Sequence, residues 1–121
     1  MTYKFEKLDI YQLALDYLDQ VYGLADNLPG HEDYNLRSQM IRAATSIVLN
    51  IAEGSTSQSD PEQYRFLGIA LRSLIETIAC RDIIKRRRYI GIEDLETSSE
   101  IGHKLFAKIQ AMRKSIKRDD G

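Results

Sequence analysis

The sequence predicts an all-α fold, an antiparallel up-down-up-down four-helix bundle. Three observations carry that reading. Apolar residues recur in steps of three and four through four long segments. No stretch alternates apolar and polar residues as a half-buried strand would. The segments are separated by brief turns around Pro29-Gly30, Ser55 to Ser59 and Gly91, which force successive helices to lie antiparallel. The predicted helices span about 9–28, 35–54, 61–88 and 93–117. The 121 residues suffice for one domain, 1–121, with a real core.

The first helix begins at Asp9, which can cap it, with Gln12 placed to close a capping box and Leu8 and Leu13 at hydrophobic-staple positions. One apolar stripe is Ile10, Ala14, Tyr17, Val21, Leu24 and Leu28. A second is Tyr11, Leu15, Leu18, Tyr22 and Ala25.

The second helix organises the chain. Its apolar stripes are Leu36, Met40, Ala43, Ile47 and Ile51, and Ile41, Ala44, Val48 and Ala52. Two adjacent stripes predict burial on most sides. A narrow polar strip, Arg42, Ser46, Asn50 and Glu53, then needs partners. Arg65, Arg72 and Glu76 of the third helix supply them: Arg65 or Arg72 for Glu53, and Glu76 for Arg42. The seven residues are expected to form a buried polar network that sets helix register and assembly. Gly54 is expected to stand just past this helix as its stop.

Asp60-Pro61-Glu62-Gln63 opens the third helix with a cap, a proline and a glutamine. Its main stripe is Leu67, Leu71, Leu74 and Ile78, widened by Tyr64, Phe66, Ala70, Ile75 and Ala79. The fourth helix carries Leu95, Ser98, Gly102, Leu105, Ile109, Met112 and Ile116, with Glu100 and Lys104 as an i,i+4 pair on its wet side. A monomeric bundle needs one stripe per helix. The surplus on the first three predicts a homo-oligomer.

The formal net charge of −1 argues against a protein that coats nucleic acid by overall charge. The charge is uneven, however. Residues 1–33 hold two basic and seven acidic side chains, whereas the later helices are basic. The run Lys85-Arg86-Arg87-Arg88, followed by Tyr89, exceeds what the helix dipole asks for. Beside an aromatic ring, it could contact phosphates and stack on a base. Lys104, Lys108, Arg113, Lys114, Lys117 and Arg118 add to the positive charge, at the opposite end of an antiparallel bundle.

Other chemistry is poorly served. Glu100 and His103 have ExxH spacing, but a di-iron bundle needs two such pairs, and His31 lies in a turn. No metal site, cofactor, small-molecule substrate or catalytic residue is expected. Cys80, the single cysteine, reads as a core residue. No signal-type or membrane-spanning run is present, and a reducing cytoplasm is the expected location.

Leu36-Arg37-Ser38-Gln39, Arg42-Ala43-Ala44, Ser46-Ile47 and Asn50-Ile51-Ala52-Glu53-Gly54 closely resemble the signature of the bacterial 23S rRNA intervening-sequence proteins. Similarity extends to the run from Tyr64 to Ala70, to Ser73-Leu74-Ile75-Glu76 and to the opening run from Phe5 to Ala14, with Tyr11 where a tryptophan is common. The resemblance implies a cytoplasmic up-down bundle assembled as a homopentameric ring, with no enzymatic activity. Related bundles serve as accessory factors of diversity-generating retroelements and are thought to bind nucleic acid. Family members often carry basic residues after the Glu-Gly pair. Here Ser55 to Ser59 is uncharged, which moves the expected contact to Lys85–Arg88 and the fourth helix. The expected function is therefore a non-enzymatic homo-oligomer, pentameric by the resemblance, that contacts RNA or a nucleoprotein. The rival reading is a protein–protein adaptor.

Overall fold

In the computed structural model, residues 3–56 and 59–116 are described, and all their long elements are helices. A short 3-10 turn, Lys4–Lys7, leads into α1, Asp9–Asp26. A second 3-10 turn, Gly30–Glu32, precedes α2, Leu36–Ser55. Then follow α3, Asp60–Arg87, and α4, Ile92–Ser115. The lengths are 18, 20, 28 and 24 residues. Each helix packs against its neighbours in sequence, and α4 closes the bundle against α1.

The core is built from the predicted stripes. Ile10, Ala14, Tyr17, Val21 and Leu24 are buried on α1, and the whole stripe from Leu36 to Ile51 is buried on α2. Leu67, Leu71 and Leu74 on α3 meet Leu95, Leu105 and Ile109 on α4. Each fully buried Leu or Ile contributes about 1.5–3 kcal/mol of transfer free energy. Cys80 is buried among them, and burial pushes its thiol up from the ordinary value.

Two polar side chains lie inside this core, Thr77 and Ser98. Each donates to a carbonyl three residues back, Thr77 to Leu74 at 2.6 Å and Ser98 to Leu95 at 2.8 Å. The Thr77 proton is thereby committed. The Tyr17 hydroxyl must then be the donor in its 2.7 Å bond to Thr77 Oγ. That bond crosses the bundle diagonally, from α1 to α3. Burial is the main cause that raises the Tyr17 phenol above its ordinary value, so it stays a neutral donor.

The helix ends differ from expectation. Leu8, not Asp9, is the N-cap of α1, and no capping box forms between Asp9 and Gln12. Gln12 reaches back to the Glu6 carbonyl instead, at 3.0 Å. Ser59, not Asp60, caps α3, accepting from the Glu62 N–H; Asp60 is the first helical residue and Pro61 the second, one place later than predicted. Gly54 is not a stop residue. It lies within α2 and is buried, and a Cβ there would come within 3.1 Å of Phe66 Cβ. The glycine lets α2 and α3 approach closely. The stop at the end of α3 is Arg88, at φ 59°, a left-handed conformation usually given to glycine.

The bundle leaves apolar surface on the second stripe of α1 and at outward positions of α2 and α3, while the second stripe of α2 is buried or half-buried. Tyr11, Leu15 and Leu18 of α1 are half-buried, and Tyr22 is exposed. Leu49 on α2 and Ile75 and Ile83 on α3 are about half exposed, at 54%, 53% and 48%.

Candidate nucleic-acid interface

The polar strip of α2 does not form the buried network that its sequence suggests. Arg42 and Glu53 are exposed in this chain, as are Arg65, Arg72 and Glu76. Among the described residues no ion pair joins Arg42 to Glu76, or Glu53 to Arg65 or Arg72. The reason is rotational. The two apolar stripes of α2 take the core and the α3 seam, which turns the charged ends of the polar strip to the outside. Its middle joins α3 through hydroxyl groups. Asn50 donates to the Ser46 carbonyl at 2.8 Å and to Ser46 Oγ at 3.0 Å, and Ser73 of α3 donates to the same Oγ at 3.0 Å. This small hydroxyl seam joins α2 to α3. Helical spacing assigns Ser73 no such role.

The Lys85–Arg88 run is placed as an exposed rim. Lys85 to Arg87 complete the last turn of α3, where cations oppose the negative end of the helix dipole. With Asp82 and Ile83 they surround a shallow open depression of about 610 Å³. Asp82 is the one carboxylate of that lining among the described residues.

Tyr89 is not the free stacking ring expected beside the run. It is half-buried, and its N–H closes onto the Ile84 carbonyl at 3.1 Å. Its hydroxyl donates to Glu32 Oε2 at 2.7 Å, across the end of the bundle. His31 meets the same hydroxyl at 3.1 Å, with its ring edge-on to Tyr89. The tyrosine fastens the α1–α2 turn to the end of α3. Its hydrogen bond is the first cause that holds the Glu32 carboxyl below its ordinary value, assisted by Asn35 and the Leu36 N–H. The Tyr89 oxygen likewise favours the charged form of Arg87.

The cations of α4 do not form one patch. Lys104 and Lys108 share a groove with Asp9 and Asp16 of α1, so carboxylates stand beside them. Glu100 forms no ion pair with Lys104 among the described residues. Lys114 is exposed, and Lys117 and Arg118 lie outside the described residues. Arg113 turns the other way, onto α3. Its guanidinium lies 3.7 Å from the centre of the Tyr64 ring, and Nε donates to the Tyr64 carbonyl at 3.0 Å. Sequence spacing alone could not have paired a residue of the last helix with Tyr64.

No metal-binding constellation accompanies these residues. Glu100 and His103 are both exposed, and no group of three His, Cys, Asp or Glu side chains converges among the described residues. No described helix is long and apolar enough to cross a membrane.

Comparison with known proteins agrees with the fold. The chain is similar over 87% of its length to a solved protein of unknown function from the S23 ribosomal protein family of Bacteroides thetaiotaomicron VPI-5482, with a TM-score of 0.80 and 24% identity. The match covers 98% of that protein's chain. No curated protein matches the sequence. The model of the 23S rRNA-intervening sequence protein family matches residues 6–113. A match over so much of the chain, with four helices in the expected order, shows that this chain belongs to the 23S rRNA-intervening sequence protein family.

Proposed function

We propose that this protein is a non-enzymatic homo-oligomeric bundle that contacts RNA through the basic rim at the end of α3. The observation that carries the reading is the exposure of Lys85, Arg86, Arg87 and Arg88 together at one end of the molecule, in excess of the dipole's need. Phosphate contacts by such a rim are electrostatic and blind to sequence, so affinity should fall steeply with salt. Tyr89, half-buried and tied to Glu32, takes no part in base stacking in this scheme. The family resemblance supports a cytoplasmic pentamer, in which each rim is repeated around a ring.

The half-exposed Leu49, Ile75 and Ile83 support self-association and give the adaptor reading its one specific footing, since apolar surface also suits a protein partner. Light scattering with and without nuclease reports oligomer mass and bound RNA together. Binding of structured rRNA fragments across a salt series tests the rim. The triple variant Lys85→Gln, Arg86→Gln, Arg88→Gln keeps Arg87 beside Tyr89, and should bind with a shallower salt slope and lower affinity. RNA affinity that is absent at low salt, or unchanged in the triple variant, would overturn the reading in favour of the adaptor.

A further inference from the structure

Arg65 and Arg72 lie seven residues apart on α3, two turns along one face. Gly68 sits between them, and Arg113 arrives from α4 to lie across it. An added Cβ at Gly68 would fall 2.7 Å from Arg113 Nη2 and 3.1 Å from Cζ. A glycine inside a helix costs about 1 kcal/mol against alanine, and here its missing side chain makes room for a guanidinium. The three arginines, Gly68 and Ile69 line a concavity of about 270 Å³. Among the described residues that lining holds three cations and no carboxylate. Among the described residues no ion pair neutralises any of the three.

Arg113 has a structural duty at Tyr64, which accounts for its ring contact and its Nε bond. Arg65 has a ring contact of its own, 4.7 Å from the centre of Phe66, but neither contact accounts for Arg72 lining the same hollow. Like charges brought together repel, and the arrangement is relieved when an anion sits between them. With its carbon over the Tyr64 ring and Nε given to the Tyr64 carbonyl, the guanidinium is anchored and keeps its two Nη groups for a ligand. Guanidinium forks match the oxygens of a phosphoryl group.

We propose that Arg65, Arg72 and Arg113 form a phosphate-binding pocket on the α3–α4 face, with Gly68 as its floor. The pocket is separate from the Lys85–Arg88 rim and does not depend on the RNA reading. Its ligand is a phosphoryl group, delivered either as free phosphate or as a backbone phosphodiester.

The test is titration of the intact protein with inorganic phosphate at constant ionic strength, set with chloride, followed by amide NMR. The Gly68 and Ile69 amides should shift saturably with phosphate and not with chloride. Arg65→Gln with Arg72→Gln, both at exposed positions, should leave circular dichroism unchanged and weaken phosphate binding about tenfold. Arg113→Lys, which keeps the charge and loses the fork, should weaken it as well. No saturable shift, or equal binding by the double variant, would overturn the pocket. Competition of phosphate by a short single-stranded RNA would identify a phosphodiester as the source, and its absence would identify free phosphate. The rim variant should bind phosphate normally. Loss of RNA binding there with phosphate binding intact would therefore separate the two sites, and failure of one leaves the other standing.

Discussion

The Tyr17 hydroxyl donates to Thr77 Oγ at 2.7 Å across the diagonal of the bundle. This is a bond between two helices that are not packing neighbours. Thr77→Val removes the acceptor and strands a buried hydroxyl, so it should cost about 1–3 kcal/mol. Tyr17→Phe leaves Thr77 bonded to the Leu74 carbonyl, so it should cost only about 1 kcal/mol. The double variant should cost less than the sum of the two, as coupled partners do. Urea denaturation of all four proteins checks this, and strict additivity would show that the bond contributes nothing.

Gly102 of α4 rests against the hydroxyl end of the same tyrosine ring, and an added Cβ would meet Tyr17 Cε1 at 3.1 Å. The ring is tethered by Thr77 and cannot easily move. Gly102→Ala should therefore destabilise by about 1–3 kcal/mol, despite alanine's better helix propensity. Gly23 of α1 is the control, since nothing lies within 4 Å of its missing Cβ. Gly23→Ala should stabilise by about 0.5–1 kcal/mol. Thermal melts of the two variants should move in opposite directions.

Glu32 is held ionised in the folded state, first by the Tyr89 hydroxyl. Its carboxyl is lowered on folding. The stabilisation is therefore present above the unfolded carboxyl's ordinary value and is lost as pH falls through the lower folded value. Glu32→Gln should flatten the fall of melting temperature between neutral and acid pH, and Tyr89→Phe should do so in part. An acid limb identical to that of the wild type in Glu32→Gln would remove Glu32 from the account.

Arg88 closes α3 in the left-handed region, a conformation that costs a non-glycine residue roughly 1–2 kcal/mol. Glycine also loses more freedom on folding, which cancels part of the gain. Arg88→Gly should therefore raise stability by up to about 1 kcal/mol while removing one rim cation. A higher melting temperature together with weaker RNA binding would show a residue kept for its charge at a cost in stability.

How much of this was legible beforehand depends on the range of the interaction. The four helices, their order and most of the core follow from local periodicity, because a helix face is defined by spacing alone. Even there the ends shifted. Gly54 reads as a stop because glycine often stands past a helix, yet here the close approach of Phe66 explains it. The α2 strip of Arg42, Ser46, Asn50 and Glu53 was visible as polar, but the exposure of its charged ends was not, since that depends on how α2 rotates against α3.

The sequence by itself determined an up-down four-helix bundle, with surplus apolar stripes, a basic run at the end of the third helix and membership suggested by the second. Helical period and turn chemistry act over a few residues, and a chain can be read over that range. The tertiary structure alone decided that Tyr89 is tied to Glu32, that Tyr17 finds Thr77, and that Arg113 lies across Gly68 beside Arg65 and Arg72. Those pairings join residues about 41 to 60 positions apart. They depend on the axial offset and rotation of packed helices, which no local pattern specifies.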